Sequence, residues 1–273
     1  MGERFQQSDA VKVLRGRFGR FVTSHSRYKH PLLAFFQTLR DAQLPAVVFG
    51  GTLRDLVVKG SSEQPRDVDV VVDTPSLAAI ELLFRNYIKK QTRFGGLHLN
   101  VELWPIDIWP LPRTWALRDR DPAGVSFADL PNTTFLDVEA VAAEIWPASG
   151  HPRRIFGERF FSAIERRTLG INHAANPFPE LCVVRALISA ARLDFRLSES
   201  LVNYVITAGA DLSPRDLEVI QSSHYGKVRC EGSTMWSWIN YLAREVDRTD
   251  GSVRLPVARP MQLGLWRDWD PSC

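Results

Sequence analysis

Asp67 and Asp69 stand one residue apart at the head of an apolar run, 68–72, and the pair Gly50-Gly51 closes an earlier apolar run, 46–49. In an extended strand side chains repeat by face every second residue, so the two aspartates point one way while Arg66, Val68 and Val70 point the other. Crowding two carboxylates costs repulsion unless a cation neutralises them or one keeps its proton. Oxygen-only donors of this kind suit magnesium bound together with substrate phosphates. Gly50 and Gly51 let the chain turn tightly into a helix starting near Thr52, whose first backbone N–H groups make an anion site for a triphosphate. Either piece alone is ordinary punctuation: a tight turn, or a solvated strand end. Strand, glycine turn, helix start and acidic strand in this order are the parts of phosphoryl-transfer chemistry.

These residues resemble a known family, the bacterial class of poly(A) polymerase and CCA-adding nucleotidyltransferases, within the superfamily of DNA polymerase beta. That family carries Gly-Gly-x-x-Arg-Asp and then Asp-x-Asp; here stand Gly50-Gly51-Thr52-Leu53-Arg54-Asp55 and Asp67-Val68-Asp69. Its later Arg-Arg-Asp-Phe-Thr-Ile-Asn is similar to residues 166–172, Arg-Arg-Thr-Leu-Gly-Ile-Asn. Its Arg-Ala-x-Arg-Phe-Ala-Ala-Arg-Leu-Gly-Phe helix is similar to residues 185–195. The resemblance covers about residues 45 to 200 and has departures: Thr168 for aspartate, Gly170 for threonine, Ile188 for arginine. In the family those positions help to hold and choose the nucleotide, so its identity does not carry over.

The resemblance implies an α/β nucleotidyltransferase head, a mixed sheet with flanking helices, followed by a helical neck and body. It implies catalytic and metal-holding roles for Asp67 and Asp69, and nucleotide or phosphate contacts from Gly50, Gly51, Thr52, Arg54, Arg166, Arg167, Asn172 and Arg185. Guanidinium forks match phosphate oxygens in pairs, although Arg54 could instead pair with Asp55 or cap its helix. Two ions in an in-line displacement need a third acid from a neighbouring strand. Asp107 is the choice: it lies in the apolar run 103–109, where a charge needs a partner, and resembles the family's acid preceding Thr-Phe-Arg, with Arg113 following. Its competitor Glu102 precedes an expected turn at Pro105, where an exposed glutamate needs no explanation.

The chain has 273 residues, 45% apolar and 24% charged, enough for a sizeable core split over two domains. A net charge of +3 permits a phosphate-rich partner and does not demand one. Lys12, Arg15, Arg17, Arg20, Arg27 and Lys29 make the first thirty residues basic, which could follow a nucleic-acid backbone or simply face solvent. Cys182, Cys230 and Cys273 are an odd number without paired spacing, against a disulfide framework or zinc site and for a reducing, cytoplasmic setting. No run is long enough for a membrane span, and the first residues lack the apolar core of a signal peptide.

Four segments follow: a basic N-terminal stretch 1–30, a head 31–156, a helical neck and short body 157–250, and an extended aromatic tail 251–273. Helices are expected over 31–42 and 76–87, strands at 46–49, 68–72, 97–103 and 106–109, and further helices over 181–193, 199–206 and 214–222. Gly95-Gly96 reads as a turn, with a phosphate contact as the other option. Trp236 and Trp238 read as core, and Trp266 and Trp269 of the tail could pack at home, dock on a partner or stack a base.

The expected function is template-independent transfer of a nucleoside monophosphate from a ribo- or deoxyribonucleoside triphosphate to a hydroxyl, with two magnesium ions (manganese an alternative). The helical region lacks the long arm with which transfer-RNA repair enzymes measure the acceptor stem, so another substrate is expected. RNA or DNA ends, free nucleotides and a protein hydroxyl are the acceptors to weigh, with bacterial antiviral defence or a toxin–antitoxin pair as settings by analogy. The rival reading is a degenerate head that binds nucleotide or a partner without turnover.

Overall fold

The structure is a computed structural model that describes residues 7–24, 26, 29–60, 65–246 and 251–256. By packing it divides into two compact units, Met1–Thr134 with Val138–Glu165, and Phe135–Asp137 with Arg166–Cys273.

The first unit opens with helices α1 (Gln7–Thr23) and α2 (His30–Asp41). Leu14 and Phe18 of α1 and Leu32, Phe36 and Leu39 of α2 are wholly buried, the spacing of an apolar helical stripe. The basic stretch 1–30, which the sequence sets apart, is thus helical over α1 and packed into this unit's core. Lys12, Arg15 and Arg20 face solvent, while Arg17 Nη1 donates to the carbonyls of Leu56 and Val57 at 2.9 and 2.7 Å. Arg27 lies outside the described residues.

Strand β1 (Ala46–Phe49) leads into α3 (Gly51–Val58), then β2 (Val68–Val72), α4 (Leu77–Phe84) with a 3-10 turn, β3 (Ile88–Gln91), β4 (Leu97–Val101) and β5 (Trp104–Pro110). A run of 3-10 turns then leads to β6 (Ala142–Glu144), β7 (Ile155–Phe156) and α5 (Glu158–Arg166). The seven strands form one mixed sheet in the order β3-β4-β5-β2-β1-β6-β7, with β2 and β5 parallel and the other neighbours antiparallel. Val48, Val68, Val70, Ile106 and Ile108 face the helices, and all are wholly buried. On the opposite face Val47, Phe49 and Val71 pack with Leu111, Leu117, Phe127 and Leu130 from the 3-10 region.

The expected turn at Pro105 is a strand. The chain reverses at Glu102-Leu103, between the paired residues Val101 and Trp104, and Glu102 takes φ +56° there. Pro105 is tolerated because β2 pairs with β5 only from Ile106 onward, so its missing N–H costs no bond to β2. Strand β3, which the sequence leaves unassigned, is Ile-Lys-Lys-Gln; an edge strand exposed on most sides has no apolar alternation to reveal it. Residues 92–96 form the turn expected at Gly95-Gly96: Gly95 N–H donates to Thr92 O at 3.0 Å and Thr92 N–H to Gly96 O at 2.8 Å.

The second unit holds α6 (Pro179–Leu193), α7 (Glu199–Gly209), α8 (Pro214–Tyr225) and α9 (Gly232–Glu245). It also holds a small sheet of β8 (Thr168–Leu169), β9 (Arg196–Ser198) and β10 (Ser252–Val253) in the order β10-β9-β8. The pairs are too short for periodicity to signal. Trp238 is buried as expected, whereas Trp236 is 47% exposed because it falls on the outer side of α9. Residues 257–273, with Trp266 and Trp269, lie outside the described residues. Among the described residues no helix is long and apolar enough to cross a membrane.

Candidate active site

Strand register decides where the acids stand. Phe49 of β1 pairs with Asp69 of β2, and Asp69 pairs with Asp107 of β5, so the three residues form one row across the sheet. Neighbours in a row share a face. Asp69 and Asp107 therefore lie on the face opposite the main helical layer, and Asp67 enters the same face from just before β2.

The glycine turn closes over this row. Gly50 follows Phe49, has φ +72° and ψ −128°, and donates its N–H to Val141 O at 2.9 Å. Only glycine takes that conformation without strain. A Cβ at Gly50 would stand 3.8 Å from Asp69 Oδ2, so the turn and the carboxyl are close neighbours. Thr52 Oγ1 donates to the carbonyl of Asp67 at 2.9 Å, tying the first turn of α3 to the acidic strand. Thr52 is thereby a brace at this point.

The electrostatics of the row are only partly relieved. Burial, then the charges of Asp67 and Asp107, push the Asp69 carboxyl well above the usual carboxylate range; Arg66 offsets this in part and Glu139 adds to it. Arg66 Nε donates to Asp67 Oδ2 at 2.9 Å, with Nη2 on the same oxygen. His98 of β4 pairs with Asp107, and its Nδ1 lies 2.7 Å from Asp107 Oδ1, where an ionised carboxylate can only accept. Among the described residues no three His, Cys, Asp or Glu side chains are grouped tightly enough to hold an ion as they stand. The donor chemistry is of the kind that magnesium takes: Asp67 and Asp107 both act on the Asp69 carboxyl beside a glycine turn, and a divalent cation would relieve the cost of their charges.

Arg54 is buried. Its Nε donates to Asp55 at 2.8 Å and its Nη1 to Glu139 at 2.9 Å. Burial opposes its charge, but the two carboxylates more than compensate and raise its pKa. Its structural reading, the pairing with Asp55, is what the geometry displays; breaking such a pair from one side costs about 3–5 kcal/mol. Glu139 and His98 are the two members of this cluster that the sequence did not single out. Glu139 sits in a 3-10 turn with no periodicity, and a lone histidine in a strand signals nothing until the register places it opposite Asp107.

The remaining residues lie in the second unit. Arg166 ends α5, and Arg167 follows with φ +50°, its Nη2 3.7 Å from Asp194 and its guanidinium 5.6 Å from the centre of the Phe195 ring. Thr168 Oγ1 donates to Arg166 O at 3.1 Å. At Gly170 a Cβ would stand 2.7 Å from Asp137 Oδ2, so a larger residue there would require the Asp137 carboxyl to shift. The N–H of Asn172 donates to Phe135 O at 2.8 Å, and Arg185 lies half-buried on α6.

No protein-family model matches the sequence, and no curated protein matches it. Solved structures do. A tRNA-processing enzyme in an apo form superposes with a TM-score of 0.55 at 18% identity, over 81% of this chain and 57% of that one. The Thermotoga maritima CCA-adding enzyme complexed with tRNA gives 0.58 at 16%, over 83% and 54%. A CCA-adding enzyme complexed with CTP gives 0.58 at 16%, over 84% and 56%. The fold is that of the CCA-adding enzymes. The chain spans a little over half the length of these proteins. The CCA-adding fold thus accounts for the seven-stranded head and the helical region after it.

Proposed function

We propose that this protein is a metal-dependent, template-independent nucleotidyltransferase that moves a nucleoside monophosphate from a triphosphate to a hydroxyl and releases pyrophosphate. The observation that carries the reading is Asp69, set between the Gly50 turn and Asp107 in one register row, with its charge opposed by burial and by its acidic neighbours. Asp67, Asp69 and Asp107 would hold one magnesium ion, and Asp67 with Asp69 a second. When bound, such ions lower the pKa of the attacking hydroxyl and neutralise the leaving pyrophosphate.

The chain's own residues supply the rest. Gly50 caps α3 without a side chain, leaving its first turn suited to triphosphate oxygens. Arg54, through Asp55 and Glu139, keeps that turn in place. The acceptor oxygen bonds to the α-phosphorus, the bond from that phosphorus to the pyrophosphate oxygen breaks, and the hydroxyl proton passes to water. Arg166, Arg167, Asn172 and Arg185 are proposed to contact nucleotide. The setting proposed is cytoplasmic, with RNA modification or oligonucleotide synthesis in defence or a toxin pair as the biological context.

A degenerate binding protein is the second reading, favoured by the engagement of Arg167 with Asp194 and Phe195 and by the departures at Thr168 and Gly170. One experiment separates them. The protein is incubated with magnesium and each labelled ribo- or deoxyribonucleoside triphosphate, alone and with mixed RNA, and products are sized. Pyrophosphate and a labelled product that Asp67→Ala and Asp69→Ala abolish support the enzyme. Tight nucleotide binding without product in any mixture supports the binding protein.

A further inference from the structure

The proposed reaction has two sides, and the sheet lays them out in order. Reading from β1 to the edge, the Gly50 turn comes first, then the acids of β2, then Asp107 on β5, then β4, and last β3. Asp67 and Asp69 are common to both ion sites, whereas Asp107 belongs to the acceptor's side alone. On that reading the acceptor would reach Asp107 from the β4 and β3 side.

That side is cationic. From residue 85 to 101 the chain carries Arg85, Lys89, Lys90 and Arg93 and not one acid. Lys89, Lys90 and Arg93 are exposed. Glu81, the acid bonded to this hairpin, accepts from Gln91 Nε2 at 3.3 Å. Two further arginines reach the turn from the 3-10 region: Arg113 Nη1 donates to Gly95 O at 3.4 Å, and Arg118 Nη2 to Phe94 O at 2.8 Å.

Lysines alone are enough to keep an edge strand from pairing with another chain. They do not explain the aromatics. Phe94 is 39% exposed, with the Arg118 guanidinium 5.6 Å from its ring centre, and Tyr87, just before β3, is 42% exposed. Rings set along a cationic edge are what a single strand of nucleic acid requires, since the cations follow its phosphates and each base offers a face for stacking. A free nucleotide is too short to use such a track, and a protein hydroxyl brings no row of phosphates to it.

We infer that the β3–β4 hairpin docks a single-stranded nucleic-acid acceptor, with Lys89, Lys90 and Arg93 along its phosphates and Phe94 stacked on a base. The direction of approach rests on the nucleotidyl-transfer reading, so the test measures binding without turnover. The full chain is titrated, with no triphosphate present, into labelled single-stranded RNA or DNA of about 12 nucleotides, the scale of a single-strand site, and anisotropy is followed at several salt concentrations.

Combined Lys89→Gln, Lys90→Gln and Arg93→Gln should weaken binding at least tenfold and shallow the slope of log affinity against log salt by about 2, since each phosphate no longer neutralised accounts for about 0.7. Phe94→Ala should weaken it about five- to a hundredfold with the slope unchanged. Magnesium ATP should still raise the melting temperature of both variants. Either a common affinity for RNA and DNA or a preference for one supports the hairpin when these substitutions abolish it. A wild-type chain that binds neither strand, or binds both regardless of these changes, overturns the inference. If such a chain nevertheless transfers nucleotide to itself or to a free nucleotide, the hairpin idea fails and the enzyme stands. If strand binding follows the substitutions but no mixture yields pyrophosphate, the enzyme fails and the hairpin stands.

Discussion

The acidic row of the head and one buried amide of the second unit are treated in opposite ways. In the head, burial and then the neighbouring Asp67 and Asp107 push the Asp69 carboxyl well above the usual carboxylate range, which costs the fold stability. In the second unit, Gln221 is wholly buried, and each end of its amide is answered. Its Nε2 donates to Leu217 O and Cys230 O at 3.1 and 2.8 Å, and its Oε1 accepts from the N–H groups of Arg229 and Cys230 at 2.9 Å each. Polarity answered within the chain serves the fold; polarity left in conflict is the feature on which the proposed metal site rests.

Substitution can break that contrast. Asp69→Asn should lower nucleotidyl transfer by about a thousandfold, the scale of losing a charge-stabilising group at a transition state, with the melting temperature unchanged or raised. A fall in both together would show that Asp69 serves the fold. Gln221→Leu should do the reverse, costing about 3 kcal/mol in urea unfolding, because buried partners left unbonded cost about 1–3 kcal/mol each, with magnesium-dependent nucleotide binding kept.

Smaller effects sharpen the contrast. His98→Leu should weaken manganese binding, read from the spin-resonance signal of the free ion, by about tenfold, as loss of a bond to a ligating carboxylate does. His98→Asn, which restores an N–H near the position of Nδ1, should recover most of it. The smallest effect belongs to the cap of α8. The Ser213 hydroxyl and N–H hold Asp216 below the usual carboxylate range. A lowered folded pKa gives stability that is present above the unfolded value, about pH 4, and is lost as pH falls through the folded one. The melting temperature of Asp216→Asn should therefore lie below wild type at pH 7 and converge with it as pH falls below the usual carboxylate range.

Much of the site was legible in the chain. Asp67 and Asp69 share a face because a strand has a period of two, and Gly50 was marked by the turn that it must make. Helices α2, α6, α7 and α8 announced themselves through apolar stripes within a few residues of their observed ends. Strands β3, β6 and β7 did not: they are short, polar at the edge or hidden among 3-10 turns, and they owe their form to pairing partners far along the chain.

Sequence alone determined the order of the parts: acids, glycine turn and helix start, since local chemistry and backbone period reside in neighbouring residues. Tertiary structure decided which distant groups complete them. Only the register of β1, β2, β5 and β4 sets Asp69 beside Asp107 and Asp107 beside His98. Only folding brings Glu139 to Arg54, whose guanidinium is thereby buried between two carboxylates. Contacts of that kind join residues dozens of positions apart, and no period in the chain encodes them.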